Sequence, residues 1–184
     1  TPAAASSNAR AHFLIEPTAL AAEREDAIAR EINIMKQLIH RHIVGLFEVI
    51  DDPSQNCVYF AMEYVNGGTL QAYIDAHKSF NATAARYYLR GVFLGLEHMH
   101  RCGASHRDVK PENVLIDRST NEAKLCDLGT ALLRDNRRGT RLGADYVHAT
   151  GGTPAFFAPE MCVREKSLAT SAGYSASAAD WWAL

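Results

Sequence analysis

The stretch Ser105-His106-Arg107-Asp108-Val109-Lys110-Pro111-Glu112-Asn113 constrains this chain more than any other. Charged and polar side chains crowd it, and the apolar run Val114-Leu115-Ile116 follows at once. Such a run can anchor a short strand, which leaves the polar loop before it open to a cleft. Two further signals follow in order. Asp127-Leu128-Gly129 comes fourteen residues after Asn113, and Ala158-Pro159-Glu160 closes a long polar segment.

The chain has 184 residues, 47% of them hydrophobic, enough for a sizeable core in one domain or part of one. A net charge of −2 gives no broad basic field, so neither nucleic acid nor an anionic membrane is an expected partner. Cys57, Cys102, Cys126 and Cys162 lie far apart in no CxxC pair, which favours free thiols in a reducing, cytoplasmic setting. No apolar run has the length of a membrane span, and no signal peptide is visible. The chain starts at Thr1 and stops within an apolar stretch at Leu184, so it reads as a fragment.

Residues 1–20, rich in Ala and Ser with Pro2 and Pro17, read as a loop or insert. Over 21–38 the spacing predicts a helix with Ile28, Ile32, Met35 and Ile39 as its apolar stripe. Strand-like runs follow at 43–50 and 57–64, separated by the turn Asp51-Asp52-Pro53-Ser54. The second run leads through Gly67-Gly68 into a helix. Asn81 is a fitting N-cap for the next one, which extends to about Arg101 with Ala85, Tyr88, Leu89, Val92, Leu96 and Met99 on its buried side. Gly91 and Gly95 cost helix propensity there, which predicts close packing. His98 and His100 do not share a helix face, so a shared metal ion is disfavoured. A hairpin is expected over 114–126, and a Ser/Ala-rich loop over 167–178. Trp181 and Trp182 are expected in the core.

Together the order His-Arg-Asp-x-Lys-x-x-Asn, the Asp-Leu-Gly triplet and Ala-Pro-Glu resemble the signatures of serine/threonine protein kinases over nearly all of 22–184. That resemblance implies an α+β, bilobal fold, truncated here: 21–64 as a partial N-lobe from the family's αC helix, 65–184 as a partial C-lobe to the start of αF. It implies ATP and Mg2+ as cofactors. Asp108 would orient the substrate hydroxyl, Lys110 offset charge on the transferring phosphoryl group, and Thr153 bond both. Asn113 and Asp127 would hold magnesium. Glu31 would be the αC glutamate that pairs with a strand lysine. Met62 would be the gatekeeper, with backbone groups of Glu63 and Val65 on the adenine edge. Leu70, Glu112 and Leu115 would complete the nucleotide site. Asp180 would brace the catalytic-loop backbone, Arg107 could meet a phosphate on the activation segment, and Thr150 would be a regulatory hydroxyl.

Within that family the chain resembles the calcium/calmodulin-dependent protein kinase kinases. The carriers are Leu46-Phe47-Glu48-Val49-Ile50-Asp51-Asp52-Pro53, Thr150-Gly151-Gly152-Thr153-Pro154-Ala155-Phe156 and an irregular Pro-containing stretch before the first helix. The resemblance implies ATP and a protein substrate as partners, with downstream kinases as candidate substrates; calmodulin would bind only through segments not in this sequence. The Gly-rich loop and the strand lysine are expected to be missing because they would precede Thr1. The competing readings are a pseudokinase-type nucleotide-binding or scaffolding module and a small-molecule kinase on the same fold. Alone, the fragment is expected to be nearly inactive.

Overall fold

The computed structural model describes residues 10–15, 21–52, 54, 57–77, 81–134, 146–162 and 173–184. Strands β2 (Leu46–Asp52) and β3 (Cys57–Glu63) form the expected antiparallel pair. Asp52 builds its own turn, with its Oδ1 accepting from the Ser54 N–H at 3.0 Å and the Ser54 hydroxyl at 2.6 Å; Pro53 lies outside the described residues.

One expectation for residues 1–20 is corrected. Arg10–Ile15 is not loop but strand β1, antiparallel to β3 on the edge that β2 leaves open, giving the order β1-β3-β2. Six residues inside an Ala/Ser-rich stretch carry a weak strand signal, and the free backbone edge of β3 decides their state. In the register Ala11 pairs with Met62 and Phe13 with Phe60, and the strand holds no lysine.

Helix α1 (Ala21–Gln37) follows β1. Among its described side chains Ile34 and Met35 are buried, followed just past its end by Leu38, with Ile28 and Ile32 packed partly against the same core. Ile39, expected on that stripe, is 85% exposed, because the helix stops at Gln37 and the chain turns away before it.

Helix α2 (Leu70–His77) and the long α3 (Ala82–Arg101) begin the other half. Asn81 caps α3, accepting from the Ala84 N–H at 2.8 Å. Tyr88, Val92, Leu96 and Met99 are buried on it, whereas Leu89 lies on the outer face and is exposed. The two glycines have the predicted cause. A Cβ on Gly91 would meet the His42 ring at 3.0 Å, and one on Gly95 the His42 carbonyl oxygen at 2.8 Å. Short strand β4 (Ala104–Ser105) pairs with β7 (Leu132–Leu133), and β5 (Val114–Asp117) with β6 (Glu122–Leu125). The halves are joined where the Leu125 N–H donates to the His42 carbonyl and the Val44 N–H to the Leu125 carbonyl.

Strand β8 (Tyr146–Val147) pairs with β9 (Tyr174–Ser175), and α4 spans Pro159–Cys162. Of the loop expected over 167–178, residues 167–172 lie outside the described residues, and the part from 174 on is strand and helix instead. Helix α5 (Ala176–Ala183) starts at Ala176, because the Ser175 hydroxyl caps it by accepting from the Ala178 N–H. Trp181 and Trp182 are not core: Trp182 is 61% exposed, and Trp181 lies against the Phe93 and His100 rings on an open face.

Candidate active site

Four side chains meet at the loop between β4 and β5. Asp108 Oδ1 accepts from the Thr153 N–H and hydroxyl, both at 2.8 Å. Its Oδ2 accepts from Lys110 Nζ at 2.7 Å and Asn113 Nδ2 at 2.9 Å. Lys110 Nζ also reaches Thr153 Oγ1 at 2.8 Å. Residues 108–113 come from one loop, and Thr153 is brought in from 45 positions away in sequence. Burial alone would raise the Asp108 carboxyl, but hydrogen bonds from Lys110 and Thr153 outweigh it and hold it below the usual carboxylate range. Chiefly the hydrogen bond to Asp108 holds the Lys110 ammonium above its ordinary value. The site is thus an ionised carboxylate beside a fixed cation.

The loop is held from below by α5. Asp180, 1% exposed, accepts the His106 N–H at 2.8 Å, the Arg107 N–H at 2.7 Å and a bond from the His100 ring at 2.8 Å. Arg107 stands at φ 70°, a left-handed conformation that costs a non-glycine residue about 1–2 kcal/mol. Two charge-assisted bonds from one buried carboxylate hold this bend. His106 is fully buried, bonded to the Cys126 carbonyl at 3.1 Å, and desolvation keeps its ring neutral.

Asp127, also at a positive φ of 59°, turns the chain directly after β6. Leu128 is buried in the main core, so Leu fills an apolar place at this position. Between the two halves lies a cavity of ≈ 490 Å³. Val44, Phe60, Met62, Val65, Leu115 and Leu128 give it apolar walls, and Glu31 and Asp127 its acidic end. Such a volume, flat apolar walls and few polar groups suit a nucleoside ligand. Among the described residues the Val65 N–H and C=O have no backbone partner, which leaves both for an adenine-type edge. The donor set also fits a magnesium ion, which takes oxygen ligands. Asn113 Nδ2 is committed to the Asp108 carbonyl at 2.8 Å and the Asp108 carboxylate, leaving the amide oxygen as ligand; Asp127 is exposed.

The structure thus gathers Asp108, Lys110, Asn113 and Thr153 in one cluster, and Glu31, Met62, Glu63, Val65, Leu115 and Asp127 around the cavity. Leu70 and Glu112 are corrected. Leu70 is buried in the core at the start of α2 and does not line the cavity, where Leu115 stands instead. Glu112 is exposed on the 3-10 turn Pro111–Asn113 and lines no part of the cavity. The sequence reading missed Val44 and Phe60 as walls, since only the sheet's approach to β5 puts them there. It also missed Cys126, whose thiol is pushed up to about 12 by burial and by the Asp127 charge and is no nucleophile. Glu31 lines the cavity, but among the described residues no cation pairs with it; burial, then the Asp127 charge, raise its carboxyl. Arg107 Nη2 donates to the Ala149 carbonyl at 2.7 Å, beside exposed Thr150. No described helix is long and apolar enough to cross a membrane.

Comparison with known proteins agrees with this geometry. The profile of the protein kinase domain matches residues 11–184. A serine/threonine-protein kinase of Schizosaccharomyces pombe, ssp1, is 41% identical over 143 residues, covering 77% of this chain and 22% of its own length. SNF1-activating kinase 1 of Saccharomyces cerevisiae is 40% identical over 157 residues, 78% of this chain and 14% of its own. CBL-interacting protein kinase 30 of Oryza sativa subsp. japonica is 35% identical over 157 residues, 85% and 30%. The chain spans less than a third of the length of each of these relatives.

Proposed function

The chain belongs to the protein kinase domain family, and on that premise we propose that it is the catalytic part of an ATP- and Mg2+-dependent serine/threonine protein kinase. The carrying observation is the convergence of Asp108, Lys110, Asn113 and Thr153 within hydrogen-bond reach of one another. Asp108 is an ionised acceptor positioned for a substrate hydroxyl, and Lys110 lies beside it for the charge on a transferring phosphoryl group. Bound ATP supplies the phosphoryl group and magnesium neutralises it; Asn113 and Asp127 are the residues that would hold the metal. Val65 and Glu63 present backbone to the base, and Met62 and Leu115 enclose it.

The Thr153 bonds to Asp108 and Lys110 support serine or threonine as acceptor. By likeness to SNF1-activating kinase 1 the substrate is itself a kinase, in a cascade, and the calcium/calmodulin-dependent kinase kinases are the proposed subfamily. A cytoplasmic setting accords with cysteines scattered along the chain in no CxxC pair. The lobes divide at the hinge, 21–64 against 65–184, with β1 joining the first.

One observation favours a second reading, a nucleotide-binding module with little turnover: β1 pairs with β3 where the strand lysine belongs and carries none. The test of the main reading is Asp108→Ala in the full-length protein, with turnover on a serine/threonine peptide library and nucleotide affinity measured separately. Turnover should fall far more than affinity, because the contact matters mainly in the transition state. Equal losses in both, or predominant phosphotyrosine in the wild-type product, would overturn it; nucleotide binding with no wild-type turnover would select the second reading.

A further inference from the structure

Lys124 is buried at 7% exposure on β6, three residues before Asp127. Its Nζ lies 2.8 Å from Glu63 Oε1, at the end of β3. The other carboxylate oxygen of Glu63 accepts the Gly45 N–H at 3.2 Å, and the Glu63 N–H donates to the Gly45 carbonyl at 2.8 Å. Three segments are thereby clamped: the hinge, the 42–45 loop and the strand that delivers Asp127. Glu63 and Asp127 both line the nucleotide cavity. Lys124 touches no part of it and belongs to no motif of the reaction. A long flexible lysine reaching a carboxylate out of solvent needs a reason, since desolvating both charges is costly unless the geometry is well satisfied.

We propose that the Glu63–Lys124 ion pair is a strut that fixes the spacing between the adenine edge at the hinge and the metal-holding Asp127, so that Lys124 is a positioning residue for the Mg-bound phosphates. This rests on the nucleotide-cleft reading above. Lys124 is paired with Leu115 in the β5–β6 hairpin, and Leu115 bridges to Thr69 just past the hinge. The pair therefore closes a ring of backbone around the base-binding end of the cavity. From Lys124 the chain runs through Leu125, the last residue of β6, and Cys126 to Asp127. A ligand that contacts only the hinge is indifferent to that spacing, and a ligand that contacts both ends is not.

The experiment compares adenosine with Mg-ATP by calorimetric titration of the wild-type chain, Lys124→Met, Glu63→Gln, the double variant and Lys124→Arg. Lys124→Met should weaken Mg-ATP on the order of tenfold while adenosine stays within about twofold. The double variant should be no worse than Lys124→Met, and Lys124→Arg, which keeps the charge, should retain the wild-type ratio. Should Lys124→Met not fold, Lys124→Gln carries the same comparison, because it keeps a donor for Glu63 and removes the charge. Equal weakening of both ligands, or a lower melting temperature with both affinities unchanged, assigns the pair to stability alone and overturns the proposal. A wild-type chain that binds neither ligand overturns the nucleotide-cleft reading itself, a distinct outcome.

Discussion

Asp180 Oδ1 accepts the Arg107 N–H at 2.7 Å from a residue 73 positions away, and Arg107 is one of three non-glycine residues with positive φ among those described. The shape of the catalytic loop is therefore imposed by a helix, not by the loop's own preferences. Asp180→Ala should leave the His106 and Arg107 N–H groups and the His100 ring without their acceptor, at about 1–3 kcal/mol for each buried group so orphaned. Thermal unfolding should show a loss of several degrees or failure to fold. A melting temperature within a degree of wild type would mean that the loop holds its bend unaided.

The Asp108–Lys110 pair should give a two-sided pH signature. The Asp108 carboxyl is depressed below its ordinary 3.8, so its contribution is present above that pH and is lost as pH falls toward the folded value. The Lys110 ammonium is raised above its ordinary 10.5, so its contribution is full below that pH and fades as pH rises through the folded value. The stability difference between wild type and Asp108→Asn should therefore plateau at neutral pH and shrink at both extremes. A difference independent of pH would show that the carboxylate is not charged against Lys110.

Glu31 should behave in the opposite sense. Burial and the Asp127 charge raise its carboxyl above the ordinary 4.5, so the folded state holds that proton more tightly and stability falls as pH rises past 4.5. Glu31→Gln should raise the melting temperature at pH 7. Among the described residues no cation pairs with Glu31, and a lysine at position 13, which pairs with Phe60 in the backbone register, is expected to supply one. In a Phe13→Lys background the same Glu31→Gln change should instead lower the melting temperature, and Phe13→Lys itself should tighten Mg-ATP. If Glu31→Gln has the same sign in both backgrounds, position 13 is not the place of the strand lysine.

The Arg107 guanidinium now bonds the Ala149 carbonyl, and among the described residues its buried Nε has no hydrogen-bond partner. A phosphate on exposed Thr150 would offer this cation charge-assisted acceptors. Turnover of the full-length protein phosphorylated at Thr150 should exceed that of Thr150→Ala, and Arg107→Ala should remove the difference. Identical rates in all three would leave Thr150 an ordinary loop residue.

The sequence by itself determined the catalytic constellation. Asp108, Lys110 and Asn113 fall within six residues and Asp127 follows one hairpin later, a spacing legible locally, whereas the bend of the loop is held by Asp180 from α5. Helix α3, its Asn81 cap and the close approach at Gly91 and Gly95 were legible for the same reason: periodicity and capping are local. Only the tertiary structure decided the rest. Arg10–Ile15 is a strand because β3 offers an open edge, not because its residues insist on it. Ile39 lies outside the core because α1 ends two residues earlier, and Trp181 and Trp182 face outward because α5 turns Ala176, Ala179 and Asp180 inward. The Glu63–Lys124 pair spans sixty-one positions and has no local signature at all. Backbone pairing and buried charge depend on what arrives from elsewhere in the chain, and a linear sequence does not state which distant partner arrives.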